Sequence, residues 1–192
     1  MSLHVITPAT EAVVSLAEAK AYLRVDHDDD DTVITTMVAA VTDWTAGPDG
    51  WLGRSLVLHT LELRQPSFPA YCYGGIILPR PPFNALESIV YLDTDSAEQT
   101  LSSDVYTTYK GGDGLTRVSP VDGESWPATA DHPEAVKVRY AAGYGDAGTD
   151  VDPGIRQALL MTVASMYDAR ESGLTINEQM ARRLFSPYRV YC

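Results

Sequence analysis

Residues 143–148 read Gly-Tyr-Gly-Asp-Ala-Gly, and the fold turns on which of two readings they take. G-x-G-x-x-G is the pattern of a dinucleotide-binding loop, which joins a parallel strand to a helix whose N-terminus cradles a pyrophosphate. The residues that follow argue against it. The next helical signal opens at Pro153, five residues past Gly148, with Asp150 and Asp152 between. Those carboxylates repel a pyrophosphate. A dinucleotide site also needs an acidic residue closing a second strand about 20 residues on, where this sequence has the interior of a helix. The glycines therefore read as a sharp turn from a last strand into a helix, and no cofactor is expected.

Downstream of that turn, Pro153 suits a first helical position. Ile155, Ala158, Leu159, Val163, Met166 and Tyr167 then fall on one face, and the helix is expected to stop near Ser172-Gly173. Thr175-Ile176-Asn177-Glu178 reads as a capping box for a fourth, shorter helix, which Pro187 ends by Ser186.

Upstream lie two more helical signals. Ser15-Leu16-Ala17-Glu18 is a capping box, followed by Leu16, Ala19 and Leu23 on one face. After "DHDDDDT" (26–32), Ile34, Met37, Val38, Val41 and Trp44 form a second apolar stripe, stopped by "AGPDG" (46–50). The run of carboxylates suits a helix N-terminus, where the macrodipole favours negative charge.

From about Leu56 to Ala142 the pattern shortens to strand lengths. "LVLHTLEL", "GIIL", "SIVYLD", "VYTTY", "LTRVS" and "AVKVRY" are β-branched and aromatic runs separated by turn residues. "KGGDG" (110–114) reads as a hairpin turn, and "LPRPP" (78–82) as an extended link between strands. Val136, Val138 and Tyr140 alternate with Lys137, Arg139 and Ala141, which predicts one wet face. The fold class expected is α+β: a four-helix core over residues 12–50 and 153–186, an antiparallel β-rich insertion over 54–145, and a tail at 187–192.

Composition narrows the function. The net charge of −12 is uneven: residues 1–152 hold 9 Lys+Arg against 23 Asp+Glu, whereas 153–192 hold 5 against 3. So acidic a body repels a phosphate backbone and disfavours sequence-reading nucleic-acid binding. The two cysteines, Cys72 and Cys192, are too few and too far apart for a disulfide framework or a zinc site, and read as free thiols. The N-terminus lacks the marks of a signal peptide and no apolar run approaches membrane-spanning length, so a cytoplasmic protein is expected, with no membrane partner.

Catalytic and metal signatures are weak. An EF-hand starting at Asp26 would need glycine and glutamate where Asp31 and Met37 stand. His4, His27, His59 and His132 have no ligand spacing, and serine has no G-x-S-x-G context. The alternative of a small carbohydrate- or nucleotide-processing enzyme on the β region would need a carboxylate pair such as Asp93 and Asp95, which nothing singles out. The tail differs, because Arg182, Arg183, Phe185, Tyr188, Arg189 and Tyr191 are residue types favoured in binding anchors.

Four segments, in order, resemble the head–tail connector (adaptor, or head-completion) proteins of long-tailed bacteriophages and gene transfer agents. They are "VSLAEAKAYLRVDHDDDDTVI", "IILPRPPFNALESIVYLD", "VRYAAGYGDAGTDVDPGIRQALLMTVASMYDARE" and "LFSPYR". Relatives usually pass from the second helix to the first strand through a short glycine–arginine turn, whereas here "AGPDGW" precedes Gly53-Arg54. The resemblance implies a non-enzymatic, structural protein without cofactor or metal. It would form a homo-oligomeric ring, dodecameric by resemblance, beneath the portal protein in the particle neck. The ring would extend the channel through which double-stranded DNA passes and dock the next neck or tail protein. Assembly is expected in the bacterial host cytoplasm. On this reading the Arg- and aromatic-bearing tail docks the portal, and Asp28, Asp29, Asp30 and Asp31 face solvent or the channel. Truncation after Leu184 is expected to leave a folded protein. A monomeric adaptor binding one partner through its tail is the other alternative.

Overall fold

Ahead of every helical signal the chain opens with a strand, β1 (Ser2–Thr7). Helices α1 (Leu16–Leu23) and α2 (Asp31–Ala46) follow, then β2 (His59–Gln65), β3 (Ile76–Leu78), β4 (Phe83–Leu92), β5 (Glu98–Thr100), β6 (Tyr106–Lys110), β7 (Thr116–Pro120) and β8 (Val136–Ala142). Helices α3 (Pro153–Ser172) and α4 (Glu178–Phe185) complete it. This computed structural model describes residues 1–47, 50–69, 75–172 and 178–191. Pro48-Asp49 of the helix-stop signal, Cys72, Gly173, the Thr175–Asn177 part of the second capping box, and Cys192 lie outside the described residues. The architecture is α+β, with four α-helices and antiparallel sheet among the described residues, as the sequence predicts.

Two units divide the chain. Met1–Pro8 with His59–Gly143 forms a β unit, and Ala9–Leu58 with Tyr144–Cys192 a helical one.

In the β unit the five-stranded sheet runs β1-β2-β8-β4-β5 and a smaller one runs β3-β7-β6. Every strand pair is antiparallel, so the crossover geometry of a dinucleotide fold is absent from the described strands. The alternation read in β8 sets the burial. Val136, Val138 and Tyr140 are fully buried with Leu63, Ile76, Ile89 and Val118. Burying each such aliphatic side chain stabilises the fold by about 1.5–3 kcal/mol. The opposite face of the large sheet is wet and ion-paired. Glu62, only 4% exposed, accepts hydrogen bonds from Arg64 Nε and from its cross-strand neighbour Arg139, each at 2.8 Å.

The β6–β7 hairpin forms where "KGGDG" places it, with Gly111 N–H donating to Leu115 O at 2.8 Å. The link from β3 to β4 departs from the expected extended run. Arg80 is left-handed at φ 63° and only 8% exposed, because Tyr140 anchors the segment by donating its hydroxyl hydrogen to Pro79 O at 2.8 Å.

In the helical unit, α1 starts as its capping box requires. Ser15 Oγ accepts from Glu18 N–H, and Glu18 Oε2 accepts from Ser15 N–H at 2.9 Å. Ala19 of α1, Ile34, Val38 and Val41 of α2, and Ile155, Ala158, Leu159 and Val163 of α3 meet in one core. The stripes read from the sequence are thus the packed faces. The 143–148 turn is built for close passage. Gly143 sits at φ 143°, and a Cβ on Gly148 would stand 2.3 Å from Ala12 O. The requirement at Gly148 is steric, and the two glycines let the backbone turn and pack.

Candidate docking surface on the helical unit

Residues 187–191 of the tail are seated on their own unit. Beyond α4 the chain makes a short 3-10 turn, Ser186–Tyr188, with Pro187 near its start. Arg54 then clasps it: Nε donates to Tyr188 O at 2.8 Å and NH1 to the Tyr144 hydroxyl at 2.8 Å. Val190 N–H donates to Leu52 O at 2.8 Å. Gly53 admits this crossing, since a Cβ there would lie 2.4 Å from Val190 O.

An aromatic–guanidinium stack surrounds the clasp. Trp44 near the end of α2 lies parallel to Trp51, ring centroids 6.5 Å apart. Arg182 of α4 reaches over both indoles, its Cζ 5.9 Å from the Trp44 ring and 5.6 Å from the Trp51 ring. Arg189 covers Trp51 at 4.4 Å and Tyr191 at 4.6 Å. Each such contact contributes about 0.5–1 kcal/mol where exposed, enough together to hold the tail down. Sequence reasoning missed Trp44, Trp51 and Arg54 as parts of this surface. In the sequence Trp44 belongs to the apolar stripe of α2, and Gly53-Arg54 stands where relatives have a turn.

The six tail residues separate accordingly. Arg182, Arg183 and Tyr191 are exposed, Tyr191 to 78%. Arg189 is half-buried in the stack, and Tyr188 is half-buried. The Asp152 carboxylate beside the Tyr188 hydroxyl pushes its pKa up. Phe185 is 0% exposed and packs edge-on against Trp44, centroids 6.2 Å apart. As a docking residue it is therefore corrected: Phe185 is core, because it ends the inward face of α4. Truncation after Leu184 removes that core residue, so loss of stability rather than an intact fold is now the expected outcome.

The acidic segment also divides. Asp28 and Asp29 are solvated, with side chains 89% and 96% exposed. Lys20 Nζ lies 2.7 Å from Asp28 Oδ1 and 2.7 Å from Asp31 Oδ1, and these carboxylates raise its pKa. Asp30 turns inward toward α3 rather than to open solvent. Its Oδ1 accepts from Arg170 NH1 at 2.8 Å and its Oδ2 from the Tyr167 hydroxyl at 2.5 Å. The Arg170 and then the Tyr167 hydrogen bonds lower the Asp30 pKa to about 2. The physical reason is the helix start: Asp30 is the N-cap position of α2 but makes no side-chain cap bond, so its carboxylate is free to staple α2 to α3.

Elsewhere, Asp93 of the enzyme alternative is a turn residue. Its Oδ1 accepts from the N–H groups of Asp95 and Ala97 at 3.0 Å each, and its Oδ2 from Gln99 Nε2 at 2.9 Å, which closes the β4–β5 hairpin. Among the described residues no three His, Cys, Asp or Glu side chains converge as a metal site, and no helix is long and apolar enough to cross a membrane.

No family model matches the chain, and no curated protein matches it. Solved structures do. A chain from "Virion of native gene transfer agent (GTA) particle" superposes with TM-score 0.71 at 17% identity, covering 100% of this chain and 97% of that one. A chain from "Neck of empty GTA particle computed with C6 symmetry" gives 0.72 at 18%, with the same 100% and 97% coverage. One from "Neck of native GTA particle computed with C12 symmetry" gives 0.67 at 16%, again with 100% and 97% coverage. At such identities the likeness establishes the fold, and it does so end to end.

Proposed function

We propose that this chain is a structural head–tail connector. Copies form a ring beneath the portal protein in the neck of a phage or gene-transfer-agent particle, extend the DNA channel, and dock the next neck or tail protein. The observation that carries the reading is the end-to-end likeness to chains of gene-transfer-agent particles and necks, 97% of each of those chains being covered. One of those necks was reconstructed with twelvefold symmetry, and twelve copies is the number we infer here.

The charge distribution supports the role. A net −12 chain repels passing DNA, so the polymer slides without adhering. The three guanidiniums of Arg182, Arg183 and Arg189, with exposed Tyr191, offer a cationic and aromatic face to an acidic or carbonyl-rich portal surface. The role needs no chemistry, cofactor or membrane, and assembly takes place in the bacterial host cytoplasm.

Deleting the gene for this chain in producing cells tests the reading. DNA-filled heads without tails, restored to whole particles by a plasmid copy, are expected. Tailed particles formed in its absence would overturn it.

A further inference from the structure

In both sheets of the β unit the long edges are left without a strand partner among the described residues. Four strands are edges: β1 and β5 of the large sheet, β3 and β6 of the small one. Proteins blunt edges by making them very short or charged. Strand β5 is three residues long and carries Glu98, and β3 is also three residues long. Strands β1 and β6, of six and five residues, are not blunted by length. A bulge at Ile6 interrupts β1, leaving Ser2–Val5 in regular register with β2.

Two observations mark these edges as interaction surfaces. The first is exposed apolar area. Met1 (82%), Val5 (46%) and Ile6 (40%) cluster on or beside β1, and Tyr109 (42%) lies on β6. The second is charge. The chain carries 26 acidic residues, yet residues 1–10 and 105–112 contain none, and the only side-chain cation in either stretch is Lys110. Two copies of net charge −12 repel each other almost everywhere, so they approach most easily where carboxylates are missing.

We propose that β1 of one copy pairs with β6 of the next, so that each neighbouring pair of copies is joined by one continuous run of strands. This occupant fits because the two edges match in length and differ in identity. A β1–β1 contact is isologous and stops at a dimer, whereas β1–β6 is heterologous and propagates until rotation closes a ring. Strand addition supplies backbone hydrogen bonds without a deep pocket. The inference rests on the ring reading above and names the interface that reading lacks.

Particles made with Val5→Cys and Thr108→Cys, in a Cys72→Ser and Cys192→Ser background, would be oxidised and denatured. Disulfides require Cα atoms about 4.4–6.8 Å apart, so paired edges give a ladder of multimers while either single-cysteine chain gives none. A necked particle that contains this chain but yields no ladder overturns the edge pairing and leaves the connector reading standing. So does a Val5→Cys chain that forms dimers alone, or one that cross-links only to Ile77→Cys. Particles that lack the chain altogether overturn both. A second variant guards against misfolding. Chains with Val5→Asp and Thr108→Asp should keep the wild-type melting temperature yet be lost from particles; undiminished incorporation would contradict the proposal.

Discussion

At the scale of single residues, the 143–148 turn and the α2 start give the sharpest tests. Replacing Gly148 by Ala places a methyl against Ala12 O and Val13 O, backbone atoms that cannot rotate away. Overpacking of this kind costs about 1–3 kcal/mol, and chemical denaturation should read that loss, with no ligand effect accompanying it. Asp30 predicts a pH dependence. Its folded pKa, held near 2 by Arg170 and Tyr167, lies below the ordinary 3.8. The unfolded state therefore binds the proton more readily. The stability from Asp30 is full above pH 3.8 and is lost as pH falls through about 2. Thermal melts of wild type and Asp30→Asn should differ at pH 6 and converge toward pH 2. A constant offset across that range would mean the carboxylate is not what staples α2 to α3.

At the scale of elements, the tail and α4 act as one clasp whose parts can be separated. Ending the chain after Tyr188 removes the Val190 bond and the Arg189 stack but keeps Phe185 in its core position. Ending it after Leu184, or substituting Phe185→Ala, opens the core beside Trp44. Loss of a buried Phe costs about 3–5 kcal/mol, so denaturant midpoints should fall sharply for the second pair and little for the first. The elements most legible in the sequence are those whose signal is local. The capping box at Ser15, the stripes of α2 and α3, and the alternation in β8 each carry their own periodicity. Each forms as read except at Ala141, which the alternation puts on the wet face and which is buried at 8% exposure. Strand β1 carries almost none. Its burial is slight along its whole length, and it is held by register with β2. Strand β5 is fully exposed and exists because Asp93 closes the hairpin before it. The docking surface was half legible. Arginine and aromatic content pointed to the tail, but the burial of Phe185 and the gathering of Trp44, Trp51 and Arg54 depend on contacts across more than 100 positions of chain, as in the Arg54–Tyr188 bond.

At the scale of the whole molecule, the chain is an acidic body with a small cationic face. The proposed connector role asks for that combination, one part to let DNA pass and the other to hold a neighbour. If the exposed Arg183 guanidinium docks the portal, Arg183→Glu should leave the melting temperature within about 2 °C of wild type, as surface changes do. The chain should nonetheless be lost from particles. Incorporation at the wild-type level would move the docking face elsewhere on the molecule. The central claim is most directly tested by electron cryomicroscopy of particles from producing cells, with the neck reconstructed without imposed symmetry. The account predicts a closed ring of copies of this fold between portal and tail, lining the DNA channel. A neck with no density for this chain, or with a single copy bound to its outside, would contradict it.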